Sequence, residues 1–428
     1  TPHLDKLADE GVKFSNAFCT SASCSASRSV ILTGKYGHAT GHYGHAHDYH
    51  HFSTYDTITS LPVYMSADGY HTARIGKYHL APESVYKFDT VLPGNARSTV
   101  EMADNCKEVI NSEEPFFLYY CTSDPHRGYP YKMDNWQTPN NFGNIEEGYA
   151  GVEEVVYDPA DVLVPDFLPD AKESREELAQ YYQSVSRLDQ GVGRLMKHLD
   201  ESGKTENTII IYISDNGIAF PGAKTTLYDP GMQLPCIIKL PGDGPKGITN
   251  SAMINWADLT PSILDMAGIE IKDKHFHGES FKSILKEENP EAWDEVYASH
   301  IFHEITMYYP MRVYRDKKYK LIWNVAWEME YPFASDLWIS STWQGVLKRE
   351  DQFYGKREVS KYLHREKFEL YDIENNPDET INLAAMEEYQ DLLESLIVKM
   401  KDFQQKTADP WIIIWENNAV MQRNTERL

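Results

Sequence analysis

The sequence predicts an α/β fold followed by a smaller α+β unit, and three features carry that reading. Two continuous apolar runs, Phe116-Phe-Leu-Tyr-Tyr120 and Thr208-Ile-Ile-Ile-Tyr-Ile213, have the length and texture of buried parallel strands. Between them Leu178, Tyr181, Val185, Leu188, Val192, Leu195 and Leu199 recur at helical spacing, which predicts a long amphipathic helix over 175–198. Strands alternating with helices argue for a sheet flanked by helices. From about Val296 the texture changes to short strand-like pieces around a basic turn, which predicts a small antiparallel sheet.

Taken in order, Leu4, Leu7, Ala8 and Val12 predict a helix over 1–14. Pro115 introduces the 116–120 strand, and Asp124-Pro-His-Arg127 follows it closely. Ser174 and Glu177 resemble a capping box at the start of the long helix. The 208–213 strand is followed by Ser214-Asp-Asn-Gly217. Ligands of open α/β sheets bind beyond the carboxyl ends of strands, where both polar motifs fall. Leu259, Ile263, Leu264 and Met266 place another helix within 255–267. The pieces 296–299, 311–314 and 318–322 read as strands, and 387–403 as the last long helix. Two units are expected, 1–294 and 295–428.

A chain of 428 residues can bury a large core, and 41% hydrophobic with 12% aromatic content is ordinary for a globular protein. No apolar run approaches a membrane span, and no signal peptide is visible in a chain that begins at Thr1. A net charge of −24 disfavours nucleic acid and polyanionic surfaces. An anionic ligand therefore needs a local basic site, which Arg28, Lys77, His79, His126, Arg127, Lys224 and Arg312 could supply with help from a metal. Five scattered cysteines imply no disulfide framework; Cys121 and Cys236, inside apolar runs, read as buried structural thiols. No Asn-x-Ser/Thr acceptor is present, which favours a bacterial protein of the periplasm or the secreted fraction.

The most informative stretch is Cys24-Ser-Ala-Ser-Arg28, followed by Ser29-Val-Ile-Leu-Thr-Gly34 and read as the start of a short helix. A helix N-terminus favours an anionic nucleophile or a bound anion, and Arg28 one turn further carries a fork that suits sulfate oxygens. Asp215-Asn216 offers hard oxygen ligands of the kind that suit Ca²⁺ or Mg²⁺, though Asp-Asn-Gly is also a common turn. Lys77 and His79 occupy alternate positions, so both can face one side of an extended segment. His38, His42, His45, His47, His50 and His51 match no compact zinc spacing, and the reading is against a second metal.

The Cys-x-Ala-x-Arg pattern resembles the sulfatase maturation signature. So do four further segments in that family's order: Gly76-Lys-Tyr-His79, Asp124-Pro-His-Arg127, Ser214-Asp-Asn-Gly217 and Glu369 to Leu383. Within the family the likeness is to the sulfamidases and runs nearly end to end. It takes in His50-His-Phe52, Pro82 to Tyr86, Asp158 to Pro165, Asp189 to Gly193, His303 to Met307, Tyr309 to Arg312 and Asp409-Pro-Trp411. The resemblance implies an alkaline-phosphatase-like mixed sheet flanked by helices, with a smaller C-terminal α+β domain carrying an antiparallel sheet.

It also implies a site. Cys24 would be oxidised to formylglycine, whose hydrate is the nucleophile. Ca²⁺ would be held by Asp215, Asn216, the modified Cys24 and an Asp pair from a first strand. The sequence given begins at the helix that follows that strand, so the Asp pair has no counterpart in it. Arg28, Lys77 and Lys224 would offset sulfate charge; Lys224 stands where the sulfamidases carry arginine. His79 would orient or deprotonate a hydroxyl, and His126 would protonate the leaving group. Asp124, Arg127, His303, Glu304 and Arg312 are the expected substrate contacts, and His50 and His51 the rim.

The partners implied are a sulfated sugar or glycosaminoglycan chain end, a formylglycine-generating maturase and a second copy of the chain, with no nucleic acid and no membrane. The expected reaction releases sulfate from a sulfated sugar, with N-sulfoglucosamine at a heparan-type chain end first. An O-sulfatase on another glycan, a phosphodiester or phosphonate hydrolase of the same fold, and an inactive glycan-binding relative stay open.

Overall fold

The computed structural model describes residues 1–128, 139–270 and 275–415. Its strands in chain order are β1 (Val12–Phe18), β2 (His71–Gly76), β3 (Thr90–Leu92), β4 (Phe116–Cys121), β5 (Ile210–Ile213), β6 (Cys236–Lys239), β7 (Ile248–Asn255), β8 (Glu295–Phe302), β9 (Tyr308–Asp316), β10 (Tyr319–Asn324), β11 (Phe353–Tyr354), β12 (Arg357–Glu358) and β13 (Phe368–Asp372). One mixed sheet runs β5-β6-β1-β7, with β7 parallel to β1 and β6 antiparallel to both its neighbours. A parallel sheet runs β3-β2-β4. The antiparallel sheet runs β13-β10-β9-β8, and β11 and β12 form a short hairpin.

Two sequence expectations change at the N-terminal end. The predicted helix over 1–14 stops at Asp9, and β1 begins at Val12. Val12 and Phe14 are buried while Lys13 and Ser15 are exposed, a period of two that a helical stripe beginning at Leu4 concealed. The long helix spans Lys172–Glu201, but its N-cap is Ala171 and no side chain caps it. The Ser174–Glu177 capping box does not form, because the Glu177 carboxylate is taken by Arg127.

A further change concerns β4 and β5. Both read as strands buried within a parallel sheet; among the described residues each has a strand on one side only and is half-buried along its length. The partner of β5 is the antiparallel β6. The strands β2 and β3 had no apolar signal; His71-Thr-Ala-Arg-Ile-Gly76 is half polar and earns its place by pairing with β4 in register over six residues.

One buried cluster runs through most of the molecule. It joins Val12 and Phe14 of β1, Ala252 and Ile254 of β7, and Val30, Ile31 and Leu32 of the helix Cys24–Thr33 to Val296, Ala298, Met311 and Val313 of the antiparallel sheet. The two expected units thus share a core. On the other face of the antiparallel sheet, Leu321, Trp323 and Leu370 pack against Leu393, Leu396 and Met400 of the helix Gln390–Lys406.

That arrangement is locked by a buried ion pair. Arg312 on β9 donates from Nε to Asp409 Oδ2 at 2.5 Å and from Nη2 to Oδ1 at 2.8 Å, with both side chains fully enclosed. Burial opposes ionisation of Asp409, but the guanidinium wins and holds its carboxyl down at about 2. Stability from this group is present above the ordinary carboxylate range and is lost as pH falls toward 2. Asp409→Asn should therefore lower unfolding free energy by about 3 kcal/mol or more at pH 7, read by urea denaturation, and the difference from the parent should shrink in strong acid.

Candidate active site

Cys24 is the first residue of the helix Cys24–Thr33, every residue of which is buried. Ser23 is its N-cap but leaves the helix N–H groups alone; its hydroxyl pairs instead with His303 Nδ1 at 2.9 Å. The helix ends at Gly34, whose left-handed φ of 64° suits glycine. Unpaired N–H groups of the first turn and the positive end of the helix dipole therefore surround Cys24.

Arg28, one turn on, ties three segments together. Its Nε donates to Asp215 Oδ2 at 2.8 Å and its Nη1 to the Lys77 carbonyl at 2.9 Å. Burial pushes the Asp215 carboxyl up, yet Arg28 and then Lys77 hold it below the usual carboxylate range. Asp215 and Asn216 follow β5, and Asn216 Oδ1 is buried without a hydrogen-bond partner while its Nδ2 donates to the Gly217 carbonyl. An orphaned carbonyl-type oxygen beside a carboxylate fits a hard divalent cation. Gly217 is required because a Cβ there would collide with the Pro230 carbonyl.

A second cluster forms around His126. Its Nδ1 lies 2.6 Å from the Arg127 carbonyl, which can only accept, so Nδ1 carries the hydrogen and Nε2 presents a lone pair. Lys224 Nζ donates to that Nε2 at 3.1 Å and to Asp336 Oδ2 at 2.6 Å. Burial, then Lys224 and Lys77, hold His126 well below the ordinary histidine value. Burial works against the Lys224 charge, but Asp336, Cys24 and Asp215 keep its pKa raised. Thr225, next in the chain, has a φ of 71°, a strained conformation for a β-branched residue.

The histidines of the 38–51 stretch divide. His38 bonds Ser299 and Thr407, and His42 bonds Ser25 and Thr54; both are buried and act as packing links. His45, His47 and His79 come together, with one ring nitrogen of each within 4.8 Å of the others and the Nδ1 atoms of all three buried without partners. Burial and the nearby Lys77 push His79 far down. His79 has a φ of 56°, so Lys77 and His79 do not lie on one extended segment; β2 ends at Gly76 and the chain turns. His50 Nδ1 accepts from the Ile305 N–H at 3.0 Å, and His51 is exposed.

The structure brings Cys24, Arg28, Lys77, Asp215, Asn216, Lys224, His126 and His79 to one region. It places three of the expected substrate contacts elsewhere. Asp124 is enclosed by Arg97 at 2.5 Å and Arg187 at 2.7 Å. Arg127 forms a forked pair with Glu177 at 2.7 and 3.1 Å. Arg312 is the buried partner of Asp409. Asp124 and Arg127 thus clamp the loop that carries His126 rather than facing a ligand. His303 has both ring nitrogens taken, by Ser23 and by His45 Nε2 at 3.0 Å. Glu304 accepts from Ser335 N–H and Oγ at 3.0 and 2.6 Å. Cys121 is half-buried, whereas Cys236 is fully buried, and all five cysteines are unpaired. Sequence reasoning missed Asp336, Arg97 and Arg187, and read Glu177 only as a capping residue. The first three lie in no motif, and only the unpaired charge of Lys224 could have hinted that a carboxylate was needed.

Comparison with known proteins fits this geometry. The sulfatase family model matches residues 1–269, and the model for the C-terminal part of N-sulphoglucosamine sulphohydrolase matches 222–334. The N-sulphoglucosamine sulphohydrolase of Homo sapiens is 36% identical over 439 aligned residues, covering 96% of this chain and 86% of that protein. The chain belongs to the sulfatase family. An ulvan-active sulfatase of Formosa agariphila is 27% identical, covering 96% of this chain and 76% of its own. A structure solved with its substrate D-glucosamine-2-N,6-O-disulfate shares the fold at a TM-score of 0.66 and 21% identity, covering 96% of this chain and 93% of that one.

This sulfatase therefore has the alkaline-phosphatase-like α/β fold and hydrolyses sulfate esters or sulfamates, in a family that works through formylglycine and a divalent metal. Its Arg28 holds two segments through one planar fork, which a lysine cannot do. Arg28→Lys should keep the thermal transition within a few degrees while lowering kcat/KM on an aryl sulfate by about 10- to 100-fold, the value of one or two charge-assisted hydrogen bonds.

Proposed function

We propose that this sulfatase removes the N-sulfate from glucosamine at the end of a glycosaminoglycan chain. One observation carries the reading: likeness to N-sulphoglucosamine sulphohydrolase extends over 222–334, the stretch that supplies Lys224, His303 and Glu304 to the site. Lys77 balances the charge of the transferring group, while Arg28 and Lys224, paired with Asp215 and Asp336, position it. Burial, then Lys224 and Lys77, hold His126 below the ordinary histidine value; a bound sulfate beside the two lysines offsets their charges, so binding raises the proton affinity of Nε2 and readies it as the acid for the leaving atom. The Arg127–Glu177 and Asp124–Arg187 pairs keep that nitrogen in place.

Cys24, once matured to formylglycine, supplies the nucleophilic oxygen at the helix N-terminus. Ca²⁺ held by Asp215 and Asn216 would neutralise sulfate oxygens there. Because Cys24 to Arg28 is fully enclosed in the folded chain, the maturing enzyme meets this segment before folding is complete.

The matured protein should release free sulfate from N-sulfoglucosamine, and Cys24→Ala should abolish release. Hydrolysis of a 6-O-sulfated sugar without action on the N-sulfated one would overturn the reading. Asn216→Leu should weaken calcium binding by about tenfold or more in calorimetry, because it removes one hard oxygen from the donor set. Equal calcium affinity in the variant would remove Asn216 from that set.

A further inference from the structure

We propose that Asp336 selects an N–H leaving group over an ester oxygen. The proposal rests on the sulfamidase reading of the site and adds to it the residue that reads the leaving atom. Asp336 sits on the short turn Ser335–Trp338, which Glu304 anchors by accepting both from the Ser335 N–H and from its hydroxyl. Its Oδ2 is held by Lys224 Nζ at 2.6 Å and lies 3.9 Å from His126 Nε2. Its other oxygen, Oδ1, is shut off from water and has no hydrogen-bond partner. A carboxylate placed only to balance Lys224 would leave that oxygen in a costly, unexplained state.

His126 Nε2 marks where the leaving atom accepts its proton. An atom there lies beside the Asp336 carboxylate, and a carboxylate only accepts hydrogen bonds. A sulfamate nitrogen carries a hydrogen and can donate it to Oδ1. The oxygen of a sulfate ester has none and meets a negative group. The advantage grows along the reaction. As the S–N bond breaks and the S–O bond to the nucleophile forms, the electron pair stays on nitrogen. Nitrogen takes one proton from His126 and departs as an amine, and water protonates it further to an ammonium ion. Asp336 therefore faces an N–H donor at the start and a cation at the end, with Glu304 and His303 each placing an atom within 4.8 Å of it. A site built to bond an N–H rejects the analogue that lacks one, because its own polar group is then left unpaired.

The test compares N-sulfoglucosamine with 2-O-sulfated glucose, which differ at the bridging atom alone, using the matured parent and Asp336→Asn. The variant's kcat/KM should fall more on the sulfamate than on the ester, by about 10- to 100-fold in their ratio, the worth of one charge-assisted hydrogen bond. Equal losses on both substrates would make Asp336 a partner of Lys224 only and overturn the proposal. A second measurement needs no turnover: calorimetric binding of free glucosamine against glucose. Asp336→Asn should weaken glucosamine by about tenfold or more and leave glucose within twofold, a pattern that misplacement of Lys224 would not produce. If the parent hydrolyses no sulfamate, the functional reading falls, and glucosamine binding alone then decides for or against Asp336.

Discussion

The site is organised by the guanidinium of Arg28. Three parts of the chain that are far apart in sequence meet on it: the helix that begins at Cys24, the loop after β2 through the Lys77 carbonyl, and the loop after β5 through Asp215. The helix fixes where Cys24 stands, and the same guanidinium holds the Asp215 carboxylate. A single planar group therefore sets the spacing of Cys24, Lys77 and Asp215. Its own charge is spent on Asp215, so its contribution to the substrate is mostly geometric.

The same economy of charge holds across the active region. The chain carries a net −24, and most basic side chains near Cys24 have a carboxylate partner: Arg28 has Asp215, Lys224 has Asp336, Arg127 has Glu177, and Arg97 and Arg187 share Asp124. Lys77 has no ion-pair partner among the described residues. Buried pairs of this kind do little for net stability, but they fix orientation strongly, since removing either member strands a charge. An anionic sugar is then met by one uncommitted ammonium, a helix N-terminus and a metal, while the field of the acidic surface is screened beyond about 8 Å at physiological salt.

Much of this was legible in the sequence because the chemistry is local. Cys24 and Arg28 are four residues apart, Asp215 and Asn216 adjacent, and His126 directly after an apolar run; such groups announce themselves in short motifs. What could not be read was pairing across the fold. Arg312, Arg127 and Asp124 look like substrate contacts when their charge is seen alone, and Asp409, Glu177 and Arg187, which neutralise them, lie 97, 50 and 63 residues away. Asp336 was invisible for the complementary reason: a lone acid in an undistinguished turn gains meaning only when Lys224 is seen beside it. β1 was lost to a helical stripe that happened to continue one position too far. The apolar texture of β4 and β5 was read correctly as strand, but texture reports what a strand is made of and not what lies next to it.

The core that the two sheets share has a practical side. Val296 and Ala298 of β8 and Met311 and Val313 of β9 sit in the same buried cluster as Val12 and Phe14 of β1 and Ile254 of β7. A cut near residue 294 would strip apolar surface from both pieces at once, and large exposed apolar patches drive association. The C-terminal stretch is therefore not a portable module, and neither piece should stay dispersed when produced alone.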